Sequence, residues 1–228
     1  MYKYVIFDLD DTILDFHRGE IEGVTAILKE YKVPDIELGL KKYIKINNDV
    51  WSQIEDGAAL QPLLDSRFTK VMAYFGIKVD GQAVEKEYRE MINHNYHKIA
   101  GVDKLLKKLA DSDVKVVAGS NGFRKTQVGR LKGADLYQYF DQVNVSEDVG
   151  VAKPDSKFFE HIFKLNPGMT KENVIMVGDG VKSDILGANR FGIDSIWYNP
   201  NHKPMNPKIK PTYEVDNYQD MYDIIVNK

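Results

Sequence analysis

The chain has 228 residues, a formal net charge of −3, 43% hydrophobic and 29% charged residues, a balance that can bury a core in one large domain or two smaller ones. It contains no cysteine, which excludes disulfides and thiolate chemistry. Lys and Arg are scattered without a basic block, which argues against a nucleic acid polymer or a membrane surface as partner, and no apolar stretch approaches the roughly 20 residues that span a bilayer. Carboxylates follow the first apolar run at once, unlike a signal peptide, so a cytoplasmic location is expected.

The first element is an apolar run from residue 4 that ends in carboxylates at Asp8, Asp10 and Asp11. Its β-branched and aromatic residues predict a strand over 4–9 buried on both faces of a parallel sheet. Side chains alternate along a strand, so Asp8 and Asp10 share a side. Residues 16–99 show helical spacing instead. Ile21, Val24, Ile27, Leu28 and Tyr31 mark a first helix that stops at Pro34. Leu40, Tyr43, Ile44, Asn47, Val50, Trp51 and Ile54 mark a second, ending near Asp56-Gly57. Leu63, Leu64, Phe68, Val71, Met72 and Phe75 mark a third with Gly76 at its end, and Val84, Tyr88, Met91, Ile92 and Tyr96 a fourth. Four amphipathic helices in a row can bury their stripes as a small bundle.

From residue 100 strands and helices alternate. A helix near 102–111 leads to the strand Val114–Ala118, a helix near 124–133 to a strand at 142–146, and Pro154 is expected to open the next helix. Val174–Val177 is the fourth strand and Ile193–Tyr198 the fifth, with a helix ending at Gly192 between them. Asn199–Pro211, with four prolines, is a loop, and Tyr218–Val226 a closing helix. Repeated βα units predict an α/β fold with a doubly wound parallel sheet, its core formed by residues 1–15 and 100–228, and residues 16–99 inserted as a helical bundle after the first strand.

Ligands of such sheets bind outside the carboxyl ends of the strands. Asp8 and Asp10 fall there after the first strand, Ser120-Asn121-Gly122 after the second, Lys153 before a later helix, and Asp179 after the fourth, with Asp184 close behind. Asp8, Asp10 and Asp179 are hard oxygen ligands suited to Mg²⁺. A lysine, a hydroxyl and backbone N–H groups near a helix start suit a phosphoryl group. An aspartate can serve as nucleophile, and a second one as acid and base.

Asp8-Leu-Asp10-Asp-Thr12, Ser120-Asn-Gly122, Lys153-Pro154 and Gly178-Asp179 followed by Asp184 resemble, in chain order, the four motifs of the haloacid dehalogenase-like hydrolase superfamily, whose Rossmann-like core carries a helical cap. The resemblance implies an Mg²⁺-dependent phosphatase acting on small phosphate monoesters through a phospho-aspartate. In that scheme Asp8 is nucleophile and metal ligand. Asp10 is general acid and base and meets the metal through its carbonyl. Ser120 binds phosphate, Asn121 shapes its loop, Lys153 holds phosphate and nucleophile, Asp179 ligates the metal and Asp184 supports it. Thr12 would order the loop after the first strand. Gly180 departs from the hydroxyl or amide side chain frequent in relatives. Trp51, Glu55-Asp-Gly57, Leu64, Arg67-Phe68 and Trp197-Tyr-Asn-Pro200 look most like the branch of pyrimidine 5′-nucleotidases, which implies a nucleoside monophosphate as substrate and a monomer or weak dimer. A sugar phosphomutase and a non-enzymatic phosphate-binding module remain the alternatives.

Bland readings stand beside these. Arg67 could meet a substrate or pair with a carboxylate inside the bundle. Glu55-Asp56-Gly57 would face the site if the insert folds over it. His94 and His97 suit a solvated helix face, and the aromatic residues of the insert suit a bundle core better than a base-stacking platform. The five histidines lack metal-ligand spacing, so zinc is not expected.

Overall fold

The computed structural model describes residues 2–227. They divide into two compact units: one formed by the residues up to Asp15 together with those from Tyr96 onward, the other by Phe16–Asn95.

The first unit is built on a six-stranded sheet. Its strands are β1 (Tyr4–Phe7), β2 (Lys115–Ser120), β3 (Gln142–Val145), β4 (Val174–Gly178), β5 (Asp194–Tyr198) and β6 (Tyr213–Val215). The order is β3-β2-β1-β4-β5-β6 and every neighbouring pair is parallel. The chain winds outward from β1 in one direction, then returns to β4 on its other side, so the switch point lies between β1 and β4. The continuous apolar character of β1 follows from burial on both faces. Val5 and Phe7 pack with Leu105, Leu106, Leu131 and Met221 on one side, whereas Tyr4 and Ile6 pack with Phe158, Phe159, Ile162 and Ala188 on the other. The helices that cover the sheet include α5 (Val102–Ala110), α6 (Arg124–Gly133), α8 (Ser156–Leu165), α9 (Leu186–Phe191) and α10 (Tyr218–Asn227).

Several boundaries differ from the expectations. Pro154 does not open α8: Asp155 is its N-cap, accepting from the Lys157 N–H at 2.9 Å, and the proline lies one residue outside. A one-turn helix, α7 (Ser146–Val149), precedes it. A π turn (Val181–Ile185) leads into α9. The core resumes at Tyr96 rather than at residue 100, because Asp15 N–H donates to His97 O and Ile99 N–H to Ile13 O, tying that segment beside the end of the β1 loop.

The second unit holds α1 (Phe16–Glu30), α2 (Ile36–Glu55), α3 (Leu60–Tyr74) and α4 (Gly81–Asn93). Its core joins Val24, Ile27, Leu28, Tyr43, Phe68, Val71, Met72, Val84, Tyr88 and Ile92. The rings of Tyr43, Phe68 and Tyr88 pack in tilted and edge-on pairs with centroids 5.1–5.8 Å apart, so these aromatics are core. Arg67 is buried among them. It donates to both Glu85 carboxylate oxygens at 2.7 Å and to Asn47 Oδ1 at 2.6 Å, while Asn47 donates to Glu20. The arginine therefore pairs within the bundle. α4 ends at Asn93 with His94 as its C-cap, so His94 and His97 do not share a helix face. Among the described residues no helix is long and apolar enough to cross a membrane.

Candidate active site

The C-terminal ends of β1, β2 and β4 carry the polar residues. Asp8 N–H donates to Val177 O at 2.8 Å, extending the β1–β4 ladder by one residue and setting the Asp8 side chain at the switch point. The loop beyond is tight: Ile13 and Leu14 N–H both return to Leu9 O, and Asp11 N–H donates to Leu14 O. Thr12 serves this loop through two bonds. Its Oγ1 accepts from Asp179 N–H at 3.0 Å and its carbonyl from Tyr218 Oη at 2.8 Å. Asp179 O in turn accepts from Trp197 Nε1 at 3.0 Å. With its backbone held at both ends, the Asp179 carboxylate is directed toward Asp8.

Lys153 is wholly buried and its ammonium has three partners: Asp8 Oδ1 at 2.7 Å, Asp184 Oδ1 at 2.6 Å and Gly119 O at 2.6 Å. The three donors of the ammonium are thus used. Asn121 delivers it there. The Asn121 amide exchanges two hydrogen bonds with the Lys153 backbone, at 2.8 and 3.0 Å, joining the end of β2 to the turn before α8. The other Asp184 oxygen, Oδ2, accepts from Gly180 N–H at 3.0 Å. A Cβ at Gly180 would come within 2.2 Å of Ser183 Oγ and 2.8 Å of Asp184 Oδ2, which explains the bare backbone here.

Asp8, Asp179 and Asp184 offer carboxylate oxygens that lie within 4.8 Å of one another. Burial pushes the Asp8 carboxyl well above the usual carboxylate range, with the Asp184 and Asp10 charges adding to it and Lys153 opposing. Burial, then the Asp184 charge, pushes Asp179 up to about 7, although Lys203 lies 3.4 Å from its Oδ2. Burial pulls the Lys153 ammonium down, but the charges of Asp184 and Asp8 outweigh it and hold the proton more tightly than usual. The cluster is therefore short of positive charge. Lys153 and the more exposed Lys203 offset two of the three carboxylates and leave one uncompensated, so a divalent cation with hard oxygen preference fits the donor set. The carboxylate of Asp10 is not in that cluster. It faces Arg130, which is fully buried, and Gln127, both on α6.

The structure thus brings Asp8, Lys153, Asp179 and Asp184 together, with Asp10 and Ser120 joined through Gln127. Three participants escaped the sequence reading. Lys203 comes from the proline-rich loop, where nothing in its neighbours signals a partner. Gln127 and Arg130 sit three apart on α6, a helix whose buried side carries Thr126, Gln127 and Arg130 beside Leu131. That polar buried face was the available signal.

This α/β architecture with acidic groups and a buried lysine at the switch point is that of a phosphoryl-transferring hydrolase, and residues 5–198 match the model of the haloacid dehalogenase-like hydrolase family. The chain belongs to that family. It is 37% identical to a pyrimidine 5′-nucleotidase of Streptococcus pneumoniae over 98% of its own length and 95% of the relative's. It is 27% identical to a pyrimidine 5′-nucleotidase of Escherichia coli, with 98% of each chain covered. The solved structure of the hydrolase YfnB from Bacillus subtilis, bound to magnesium, superposes with a TM-score of 0.93 at 30% identity, covering 99% of both chains.

Proposed function

We propose that the protein is an Mg²⁺-dependent phosphomonoesterase that forms a phospho-aspartate on Asp8, and that its substrates are pyrimidine nucleoside monophosphates. The observation that carries the reading is the buried Lys153 ammonium bridging Asp8 and Asp184 inside an acidic cluster with Asp179. A surface role has no use for such an arrangement, whereas a dianionic phosphoryl group and a divalent cation do. Relatives named pyrimidine 5′-nucleotidases, matched over nearly their whole length, support the substrate class.

In this mechanism Asp8, Asp179 and the Asp10 carbonyl would hold Mg²⁺, with Asp184 in support. The ion, when bound, offsets the charge of the phosphate and of the carboxylates around it. The Asp8 carboxylate attacks phosphorus, the P–O bond to the sugar breaks, and Asp10 gives its proton to the departing alkoxide. Water then attacks the acyl phosphate, Asp10 takes its proton, and Asp8 and inorganic phosphate are regenerated. Lys153 and Ser120 stabilise the transferring oxygens throughout, and such placed charge is the main lever in phosphoryl transfer. The helical unit Phe16–Asn95 is the proposed cap.

Phosphate release from pyrimidine and purine nucleoside monophosphates and small sugar phosphates, with and without Mg²⁺, tests the reading. The expected result is Mg²⁺-dependent release with the highest kcat/KM on a pyrimidine nucleotide. No release from any ester would overturn the phosphatase reading, and a preference for another ester would overturn the substrate.

A further inference from the structure

We infer that Gln127 and Arg130, on α6, are positioning residues that hold the Asp10 carboxylate and the Ser120 hydroxyl in one rigid unit, set for protonating a poor leaving group. The inference rests on the phosphatase reading above and adds two residues that none of the four motifs contains.

Hydrogen-bond inventory dictates the arrangement. Arg130 has only donors, so the Gln127 oxygen must face it, and Arg130 Nη1 donates to Gln127 Oε1 at 3.1 Å. The Gln127 amide is thereby oriented with its NH₂ the other way. That group donates to Asp10 Oδ2 at 2.7 Å and to Ser120 Oγ at 2.8 Å, using both of its hydrogens. Arg130 Nη1 also donates to Asp10 Oδ1, so the two oxygens of Asp10 are held by two different side chains. Swinging the carboxylate away would leave the fully buried guanidinium without that partner.

The same amide polarises Ser120. Its oxygen accepts from Gln127 Nε2 and, at 3.0 Å, from Gly122 N–H, so both acceptor positions are occupied. The hydroxyl proton is left to be donated, which is what an anionic phosphoryl oxygen requires. Gly122 has a second role here. A Cβ at this position would lie 2.5 Å from Gln127 Nε2, so a side chain at Gly122 would displace the amide. The glycine of the Ser-Asn-Gly run is thus explained by the approach of Gln127.

The test compares two esters that share the phosphoryl group and differ in the leaving group. A nucleoside monophosphate expels an alkoxide that needs a proton, whereas p-nitrophenyl phosphate expels a stabilised phenolate that does not. Steady-state kcat/KM is measured with Mg²⁺ for the wild type, Gln127→Met and Arg130→Lys, together with thermal unfolding of each. Arg130 is buried, so Gln127→Met serves if Arg130→Lys does not fold. A positioned general acid contributes ~10²–10⁴-fold, so the variants are expected to lower the nucleotide value at least ~100-fold and the aryl value by less than ~10-fold. The ratio cancels any change in phosphate binding, which a loosened Ser120 would impose on both esters alike. Equal losses on the two esters, or no loss on either, would overturn the inference. A wild type that hydrolyses neither ester overturns the phosphatase reading itself, and this inference with it.

Discussion

Replacing Lys153 by methionine keeps the length of the side chain and removes its charge. The wild-type ammonium sits 2.7 Å from Asp8 and 2.6 Å from Asp184. With an effective dielectric constant of about 20, each such pair attracts by about 6 kcal/mol before desolvation is counted. The carboxylate oxygens of the cluster lie no more than 4.8 Å apart, so two unshielded charges there repel by at least about 3 kcal/mol. Much of the gross attraction is cancelled by the cost of burying the ammonium, and removing one partner of a buried pair typically costs ~3–5 kcal/mol. We expect Lys153→Met to lose that amount in metal-free buffer at pH 8. The loss has a pH dependence. Without the lysine, which opposes the effect of burial, the Asp8 carboxyl binds its proton more tightly folded than unfolded, so lowering the pH neutralises it and stabilises the folded variant. The destabilisation relative to wild type should therefore shrink between pH 8 and pH 5. Urea unfolding at both pH values measures it. A loss below ~1 kcal/mol at pH 8, or one that does not change with pH, would refute the account.

Asp8→Asn should abolish turnover while leaving the circular dichroism spectrum unchanged, and retained activity would refute Asp8 as nucleophile. Asp179 titrates in the folded protein at about 7, above its ordinary 3.8, so metal-free stability contributed by this group is present at low pH and is lost as pH rises through 7. Mg²⁺ must displace that proton, and the Asp8 proton where that raised carboxyl is also protonated, so its affinity, measured by calorimetry, should weaken at least about tenfold per pH unit below 7; affinity equal at pH 6 and pH 8 would count against Asp179 as a ligand. In the helical unit, Arg67→Met takes from the buried Glu85 its 2.7 Å partner, leaving only the longer 3.4 Å contact with Arg89, and should cost ~3–5 kcal/mol. The double variant with Glu85→Met should recover most of it in urea unfolding; a double variant as unstable as the single one would show that the pair is not the cause.

The four motifs are legible because each pairs a local pattern with a place. A strand buried on both faces must be apolar throughout, so carboxylates at its end stand out, as at Asp8 and Asp10. The same holds after β4, where Asp179 follows Val174–Gly178. Helix spacing likewise revealed the bundle, whose core aromatics Tyr43, Phe68 and Tyr88 each belong to an apolar series at helical spacing on a different helix. Other features have no local pattern. β6 is three residues long and cannot display an alternation. Pro154 could start a helix by its own preference, yet the Asp155 side chain caps the turn one residue later.

By itself the sequence determined the succession of the first five strands and the longer helices, the helical insert and the set of acidic, hydroxyl and lysine groups near the carboxyl ends of the strands. Those are consequences of periodicity and of which residues can lie at the end of a buried strand. Only the tertiary structure decided which charges meet. It assigned Arg67 to Glu85, Asp10 to Arg130 and Gln127, and Lys153 to both Asp8 and Asp184. The physical reason is range. Backbone preference and hydrophobic spacing act over a few residues, whereas a buried charge must find its partner wherever the fold places it, here up to 145 positions away.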